Sequence, residues 1–538
     1  MKKKLNLNRR QLLKASATSA SILTVPQAFG NNLQNTDELL FKHGVASGDP
    51  LFDAVIIWTR ISGDGWSSGP VDVEWRMATD PEMLNIVAQG SLVTDETKDY
   101  TVKVDVQGLE EDSTYYYQFY CLGQFSIVGR TKTAPEFSME QCRFAVVSCA
   151  NFSSGYYNVY EKIAGIRSLD AVIHLGDYIY EYGPGEYGDG RRFDREPEPA
   201  DETITLTDYR MRYAQYRRDS QLQDAHQQHP FITIWDDHEF ANDAWKGGAE
   251  NHSENSEGLW ELRKANALQA YFEWMPIRQN PENPTRGYRH FRFADLVSLS
   301  VLDTRLEGRD QQPNGGGDSS TINDPNRTLL GDEQENWLYD RLAEVSGDNV
   351  QWKLLGQQVM LTQQRALGQI LSVDAWDGYA ASRENLLNFI QDYGIDNTVI
   401  LTGDIHTSWA NDVAFNPYDS REYNRNTGEG SLAVEFITPA VTSPGITNGF
   451  AAAIAEGITR SSNPHVKYVN LSQRGFILVE ASSEKIQSDW YHIRTIETRG
   501  DIRTRIAASY VCLTGTQRLQ STNNRIDIDL AGAEFAPK

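Results

Sequence analysis

Cysteine is scarce in this chain of 538 residues, which excludes the class of small disulfide-rich scaffolds. The four cysteines are Cys121, Cys142, Cys149 and Cys512. They could form one disulfide, but their spacing assigns no pair. We expect Cys121 and Cys512 to be buried, since a free cysteine usually behaves as a small apolar side chain.

An excess of positive charge and long apolar runs are also lacking. The formal net charge is −24 and the pI about 4.9, which argues against general binding to nucleic acids or anionic membranes. No apolar run approaches the roughly 18 residues of a membrane span, so we predict no stable span. The single Gly-x-Ser-x-Gly pattern, Gly65–Gly69, lies in a Gly- and Ser-rich stretch and not at a strand-to-helix turn, so the sequence predicts no nucleophile elbow of the serine-hydrolase type.

The first thirty residues are typical of an export signal. A basic start, Lys2-Lys3-Lys4, leads to the twin arginine within Asn8–Lys14, and Ala15–Val25 is weakly apolar and rich in small residues. Ala28-Phe29-Gly30 offers a small-x-small cleavage site. We predict a twin-arginine signal peptide over residues 1–30, with the twin-arginine export machinery as partner and a periplasmic or extracellular mature protein. A membrane anchor is the alternative, but Ala15–Val25 is too short and too polar to span a bilayer.

Residues 41–135 contain short runs in which apolar and polar side chains alternate, with turn residues between them. Examples are Val71–Trp75 and Tyr115–Tyr120. Leu109, followed six residues later by Tyr115, resembles the tyrosine corner of sandwich domains. We predict an N-terminal all-β domain of the immunoglobulin- or fibronectin-like kind over residues 41–135, with a structural role.

Residues 140–510 alternate apolar runs with longer amphipathic stretches, which indicates an α/β domain in which helices cover layers of sheet. The predicted strands are Phe144–Ser148, Ala171–Leu175, Phe231–Ile234, Leu296–Leu302, Trp352–Gly356, Thr398–Leu401, Ala433–Ile437 and Gly475–Val479. The predicted helices include Leu259–Trp274, Gly331–Leu342 and Ala381–Gln391. Tyr182–Thr203 is predicted to be a long loop at the rim of a site. Residues 511–538 form a polar tail to which the sequence assigns no role.

Four predicted strands end in side chains that can bind metal ions or move protons. Loops beyond the carboxyl ends of strands in an open α/β sheet converge on one crevice, so we expect these side chains to meet there. The charged succession Asp236–Glu239 follows a buried strand and would be costly without compensating cations or hydrogen bonds. We interpret the set as a multi-metal hydrolytic site. Its members are Cys149, Asp177, Tyr180, Asp237, His238, Asp404 and His406, with Asn242 as an additional oxygen donor.

The spacing of these residues suggests how they reach one place. Gly176 allows a sharp turn, and the two oxygens of Asp177 could then bridge two cations. Tyr180 would return to the same face if a helical turn started there. Asp404 and His406, two residues apart, are expected on one side of an extended segment.

Several of these residues also have a purely structural interpretation. Taken alone, Cys149 is better explained as a buried structural cysteine, and only the similar side chains at the neighbouring strand ends favour a metal ligand. Tyr180 could be a core aromatic, and Asn242 a helix cap or surface amide. His174 lies inside an apolar run, so we expect it to be a core histidine.

The types of donor indicate which metals the site would hold. Cysteine, tyrosine, aspartate and histidine together suit iron. The carboxylates of Asp177, Asp237 and Asp404 suit a hard ion such as Ca²⁺, Mn²⁺ or Mg²⁺. A phenolate donor makes zinc less favoured.

Eight short motifs, in this order, resemble the PhoD-type alkaline phosphatase and phosphodiesterase family within the calcineurin-like metallophosphoesterase superfamily. The motifs are His43–Pro50, Ile57–Arg60, Cys149–Asn151, Gly176–Glu181, Trp235–Glu239, Leu302–Arg305, Trp376–Tyr379 and Gly403–His406. The resemblance implies a layered α/β/β/α sandwich as the catalytic domain, preceded by the β-domain. It also implies Fe³⁺ held by Cys149, Asp177, Tyr180 and His406, and Ca²⁺ near Asp177, Asp237 and Asp404, with Asn242 a weaker candidate. Mn²⁺, Mg²⁺ or Zn²⁺ are alternatives.

The corresponding hypothesis is a secreted enzyme that hydrolyses phosphate monoesters or diesters of small molecules or lipids. Hydroxide held by the metals would attack phosphorus in line. His238 would protonate the leaving oxygen or orient the phosphate, unless it only positions Asp237. Arg305 and Arg383 are candidates for substrate contact, although ion-pair roles suit them equally. The alternatives are a phosphodiesterase or phospholipase D-like enzyme on the same site, and a secreted binding protein with structural metals.

Overall fold

The computed structural model describes residues 40–62, 69–313, 319–366, 368–530 and 532–538. The predicted signal peptide, residues 1–30, lies outside the described residues. No described helix is long and apolar enough to cross a membrane. All four cysteines are buried and none is in a disulfide.

Strands dominate the described chain and form two large sheets and two small ones. In chain order the strands are β1 (Val45–Gly48), β2 (Ala54–Arg60), β3 (Val71–Ala78), β4 (Ile86–Thr94), β5 (Thr101–Gln107), β6 (Thr114–Cys121), β7 (Gln124–Phe125), β8 (Gly129–Lys132), β9 (Gln141–Val147), β10 (Ala171–His174), β11 (Pro230–Thr233), β12 (Arg289–Phe293), β13 (Val297–Val301), β14 (Trp352–Gln357), β15 (Arg365–Ala366), β16 (Gln369–Ile370), β17 (Thr398–Thr402), β18 (Ser408–Val413), β19 (Ala433–Ile437), β20 (Val466–Asn470), β21 (Gly475–Ser482), β22 (Lys485–Ile493), β23 (Thr504–Leu513) and β24 (Leu519–Ser521).

The ten-stranded sheet has the order β24-β23-β22-β21-β9-β10-β11-β1-β2-β5, and the seven-stranded sheet the order β12-β13-β14-β17-β19-β18-β20. Strands β9, β10, β11 and β1 run parallel, as do β13, β14, β17 and β19. These strands are buried on both faces, which explains why they read as continuous apolar runs. All eight strands predicted for the α/β region are present.

Helices connect and cover the sheets. They are α1 (Asn158–Ala164), α2 (Gly190–Phe193), α3 (Leu206–Arg217), α4 (Ser220–Gln228), α5 (Glu254–Glu257), α6 (Trp260–Trp274), α7 (Ser319–Ile322), α8 (Asp332–Gly347), α9 (Ala380–Asp392) and α10 (Gly449–Ser462). The start of α3 shows local sequence control: the Thr205 side chain accepts from the backbone of Asp208, whose carboxylate accepts from the backbone of Thr205. The three named helix predictions correspond to α6, α8 and α9.

One large hydrophobic core joins the two large sheets. It contains Phe144 and Val146 from β9 together with Leu299 from β13 and Leu401 from β17. A second core lies between strands of the seven-stranded sheet and helices α8 and α9, with Leu338 and Leu387 among its members. The parallel strands of both sheets are therefore fixed by packing, and the loops beyond their ends start from rigid positions.

The N-terminal segment is β-rich, but it shares its strands between two sheets. Strands β3, β4, β6, β7 and β8 form a separate five-stranded sheet, whereas β1, β2 and β5 extend the ten-stranded sheet through the parallel pair β1–β11. Strands of both sheets contribute to one hydrophobic core between Leu40 and Cys121, so the N-terminal segment packs sheet on sheet, and one of its sheets continues into the ten-stranded sheet. The tyrosine corner is present, since the backbone N–H of Glu110 donates to the Tyr115 hydroxyl at 2.8 Å.

The polar tail beyond residue 510 is partly ordered as strand. Strand β23 continues to Leu513, and β24 pairs with it at the sheet edge. Farther on, the carbonyl of Glu534 accepts from the Tyr116 hydroxyl at 2.6 Å. This part of the chain therefore contacts the five-stranded sheet.

Candidate metal centre

The loops after β9, β10, β11 and β17 bring six of the predicted site residues together. Their ligand atoms form three overlapping groups in which all atoms of a group lie within 4.8 Å of one another. Asp177 belongs to the first two groups and Asp237 to the last two, so the groups form one continuous centre. The groups are Cys149, Asp177 and His406; Asp177, Asp237 and His238; and Asp236, Asp237 and Asp404.

Left-handed backbone conformations aim the donors into this centre. Cys149, Asp177, Asp404 and His406 have φ of 60°, 56°, 59° and 58°. Such conformations cost a non-glycine residue about 1–2 kcal/mol each and cluster at functional sites. The expectation of an extended segment from Asp404 to His406 was therefore wrong, because both residues lie in a bend.

Gly176 permits the close approach of two of these loops. Its φ is +102°, and a Cβ atom there would lie 2.4 Å from both the backbone nitrogen and the Cβ of Asp236. Only glycine can therefore place Asp177 against the loop that follows β11.

We call Cys149, Asp177, Tyr180 and His406 the mixed-donor half of the centre. The Tyr180 hydroxyl donates to Asp177 Oδ2 at 2.7 Å and lies 3.2 Å from His406 Nε2. No helical turn brings Tyr180 back, since residues 178–179 form only a bend. The other oxygen of Asp177, Oδ1, is buried without a hydrogen-bond partner among the described residues.

An orphaned buried carboxylate oxygen beside a thiol, a phenol and an imidazole fits a cation. Burial, and next the charge of Asp177, raises the pKa of the Cys149 thiol and of the Tyr180 hydroxyl well above their usual values. Both groups would stay neutral without an ion, whereas a bound cation reverses that preference and favours thiolate and phenolate.

We call Asp236, Asp237, Asp374 and Asp404, with Arg305 and Arg309, the carboxylate half. The Arg305 guanidinium is fully buried and donates to Asp236 at 2.5 Å, to Asp374 at 2.9 Å and to Asp404 at 2.9 Å. A further nitrogen–oxygen distance, to Asp237, is 3.6 Å. Arg305 therefore holds these carboxylates in place, which is the ion-pair role that the sequence offered as the alternative to substrate contact.

The pKa values of the carboxylates in this half differ, because burial and the charge of Arg305 act on them with different balance. Burial would raise the pKa of Asp237, but Arg305 and His238 outweigh it and lower the pKa to about 2. Burial raises the pKa of Asp404 to about 8 against the opposing effect of Arg305. Asp236 also keeps one buried oxygen, Oδ2, without a hydrogen-bond partner. The half is thus neutralised incompletely and retains room for a cation.

His238 lies at the junction of the two halves. Its Nδ1 is 2.8 Å from the fully buried carboxylate of Glu181. Burial opposes its charge, but Glu181, Asp177 and Asp237 outweigh burial and raise the pKa of His238 well above its usual value. These carboxylates therefore favour the protonated ring, which has a second N–H donor besides the one that faces Glu181.

An aromatic rim covers this junction, as predicted for the loop Tyr182–Thr203. The Tyr187 ring stacks on Tyr180 with centroids 5.6 Å apart, and its hydroxyl lies 3.2 Å from His406 Nδ1. The Tyr182 ring centroid lies 5.4 Å from that of His238. The rim limits the access of water to the mixed-donor half.

Two predicted site residues, Asn242 and Arg383, use their polar groups in hydrogen bonds outside the three ligand groups. The side-chain amide of Asn242 donates to Glu250 at 3.0 Å, and its backbone N–H donates to Glu181 at 2.8 Å. Arg383 is buried, and its three guanidinium nitrogens donate to backbone carbonyls. The predicted substrate contact of Arg383 is therefore corrected: its guanidinium is used to hold backbone carbonyls. The acceptors of Arg383 are Leu361, Phe415 and Ala414.

Sequence reasoning missed three residues that complete the centre. Asp374 accepts from Arg305 and Arg309, and Ser443 donates to the Tyr180 hydroxyl at 2.7 Å. Glu181 orients His238. Asp374 precedes the recognised Trp376–Tyr379 motif by two residues, which was the available signal. Ser443 lies in a loop with no such marker.

Comparisons with known proteins agree on one family. Residues 144–490 match the PhoD-like phosphatase family, and residues 27–135 match the N-terminal domain of PhoD-like phosphatases. The chain is 36% identical to alkaline phosphatase D of Bacillus subtilis (strain 168) over 543 aligned residues, covering 96% of this chain and 90% of that protein. A solved structure of PhoD is similar with a TM-score of 0.83 and 36% identity, covering 92% of this chain and 94% of that chain. The chain belongs to the PhoD-like phosphatase family.

Proposed function

We propose that this protein is a metal-dependent hydrolase of phosphate esters that holds two kinds of ion around Asp177. The observation that carries the proposal is the position of Asp177, which lies within ligand distance of both halves and has an unpaired buried oxygen. Membership of the phosphatase family and the similarity to alkaline phosphatase D support the same reaction.

The two halves suit different ions. Cys149, Asp177, Tyr180 and His406 would hold Fe³⁺, because thiolate and phenolate donors favour it. Asp177, Asp237 and Asp404 would hold a hard ion, with Ca²⁺ preferred over Mn²⁺, Mg²⁺ or Zn²⁺. Asn242 stays a weaker candidate for the second ion, since its amide nitrogen is used by Glu250. When bound, the ions act as Lewis acids that lower the pKa of water and stabilise charge on phosphoryl oxygens.

The chain's own residues bind the ester, hold it and move one proton. His238 is kept charged by Glu181, so its second N–H can orient a phosphoryl oxygen or protonate the leaving oxygen. Arg305 acts as a positioning residue for the carboxylates. The rings of Tyr182 and Tyr187 lie against His238 and would form one wall of the ester site.

Architecture and export complete the proposal. The shared core between the two sheets, with α8 and α9 on the far side of the second, supports an α/β/β/α layering of residues 140–510 behind the β-rich residues 41–135. The twin-arginine pattern supports export by that route to the periplasm or the extracellular space.

Elemental analysis of the purified holo-protein, combined with hydrolysis assays, tests the proposal. We expect iron with calcium, and turnover of p-nitrophenyl phosphate or bis-p-nitrophenyl phosphate that a chelator abolishes. The ratio of these two rates assigns the monoester or diester preference. Bound metal with no hydrolysis of either ester would instead support the secreted binding protein.

The role of His238 can be tested through the leaving group. His238→Gln should lower kcat more for an alkyl phosphate than for p-nitrophenyl phosphate, because nitrophenolate departs without a proton. An equal loss for both esters would limit His238 to orienting the phosphate or Asp237.

A further inference from the structure

Helix α10 has its large apolar side chains on the solvent side. Phe450 is 78% exposed and Ile454 50% exposed. The side that faces the protein carries small residues, of which Ala452 and Thr459 are buried. This arrangement inverts that of an ordinary surface helix, whose large apolar residues face the core.

Three of the exposed apolar residues lie on one face of α10, which we call the apolar ridge. Phe450, Ile454 and Ile458 are four residues apart and therefore lie on one face of α10, spanning about 12 Å along its axis. Ile446, which is 37% exposed, lies three residues before the helix, and Leu371, which is 50% exposed, directly follows the hairpin whose strand β15 contacts α10. Contiguous apolar patches of this kind usually mark a binding surface.

The ridge borders the metal centre. Ile446 follows Ser443, the donor to Tyr180, by three residues, and Leu371 precedes Asp374 by three residues, so each lies within about 11 Å of a site residue along the chain. The inner side of α10 packs on a small core that includes Ile405, the residue between Asp404 and His406.

The helix is firmly anchored and its outer face carries no acidic residue. Asn448 caps its N-terminus by accepting from the backbone of Phe450 and Ala451. Glu456, the only acidic residue of α10, turns inward and accepts from Leu471 at 2.9 Å. The ridge is thus uncharged although the chain carries a net charge of −24.

We propose that the apolar ridge seats this enzyme on the surface of a lipid bilayer, with the metal centre facing the headgroup layer. Interfacial helices bury their apolar face about 5–10 Å into that boundary, which brings the neighbouring polar surface of a protein to the level of the headgroups. A phosphate group beside an acyl chain matches a polar centre beside an apolar ridge. Action on esters held at such a surface rests on the proposed function, whereas docking does not.

Co-sedimentation with phosphatidylcholine vesicles tests the docking. We expect the wild-type chain to bind, and the double variant Phe450→Ser/Ile454→Ser to bind at least about tenfold more weakly, since two large apolar groups leave the interface. The matched control is Leu84→Ser/Phe137→Ser, which removes two exposed apolar side chains elsewhere and should bind like the wild type.

Two further measurements separate docking on a bilayer from the proposed function and from dimer formation through the ridge. Turnover of soluble p-nitrophenyl phosphate should be equal in all three proteins, and its absence in all of them would contradict the proposed function while leaving the docking result intact. Equal vesicle binding by both double variants, or no binding by the wild type, would overturn the docking. So would a wild-type dimer in sedimentation velocity that the ridge variant converts to monomer, because the ridge would then serve a second copy of the chain.

Discussion

The two halves of the metal centre solve the problem of buried charge in different ways. In the carboxylate half, Arg305 and Arg309 lie among four aspartates and neutralise part of their charge. In the mixed-donor half, the partners of Asp177 are a phenol and a histidine ring, and one carboxylate oxygen has no partner. The first half is therefore organised by the protein itself, whereas the second would depend on the ion that the proposed function places there.

This difference predicts how the centre responds to metal removal. The carboxylate half should keep its geometry, because guanidinium contacts persist without metal. The mixed-donor half should lose order, because its left-handed residues are held in strained conformations that an ion would compensate. Four variants can break or sharpen this contrast.

The largest effect is expected for Asp177→Asn, which removes the one carboxylate common to both halves. Both ions should be lost and kcat should fall by roughly 10³-fold or more, measured by elemental analysis and turnover of p-nitrophenyl phosphate. Asp194→Asn is the matched control, since Asp194 is exposed and also left-handed, with φ of 55°. Retention of both ions by Asp177→Asn would show that the halves are not joined through this residue.

Arg305→Met should destabilise the metal-free protein by about 3–5 kcal/mol, because buried carboxylates lose their partner. Chemical denaturation measures this loss, and excess Ca²⁺ should restore much of it by supplying positive charge to the same carboxylates. Arg383→Met provides the comparison: it removes another buried arginine, but one that donates to backbone carbonyls, so Ca²⁺ should not restore its stability. Equal responses to Ca²⁺ would contradict the role assigned to the carboxylate half.

Cys149→Ala should remove one ion and spare the other. The affinity for iron should fall by more than the roughly 10- to 100-fold that loss of a residue behind a ligand costs, while calcium stays bound to the carboxylate half. Elemental analysis and the loss of thiolate-to-iron absorption measure the change. The matched control is Cys142→Ala, which should keep both ions. Cys142 is also buried, but it lies at the start of β9, the strand that leads to Cys149.

The smallest effect concerns the contrast between the charged His238 and a neutral histidine of the scaffold. Burial lowers the pKa of His492 to about 3, and its Nε2 lies 3.0 Å from the Ser408 hydroxyl, which links the two large sheets. As the pH falls below about 6.5, the unfolded chain binds a proton here that the folded chain does not. The free energy of unfolding should therefore decrease by up to about 1.4 kcal/mol per pH unit from this group.

The variant His492→Gln should reduce the slope of the free energy of unfolding against pH by the contribution of one proton. Denaturation curves of the metal-free protein between pH 7 and pH 5 measure the slope. An unchanged slope would mean that His492 is protonated in the folded state.

Site residues could be predicted from the sequence where each one directly follows the end of a single strand. Asp177, Asp237 and Asp404 each follow an apolar run, so strand ends and their convergence could be predicted. Asp374 and Ser443 could not, because the first arrives from a hairpin and the second from a loop beyond β19, and only tertiary packing places either. The pattern Asp-x-His also carries no signal for a left-handed bend, and it therefore suggested an extended segment.

The left-handed backbone at Cys149, Asp177, Asp404 and His406 restricts how this centre could be redesigned. Aspartate, asparagine and histidine tolerate that conformation better than most residues, and glycine tolerates it freely. Lengthening a ligand from aspartate to glutamate, or inserting a β-branched residue, would conflict with the main chain before any question of ion fit arose. An engineer who wishes to change the ion must therefore work with the neighbours of these donors and leave their residue types nearly untouched.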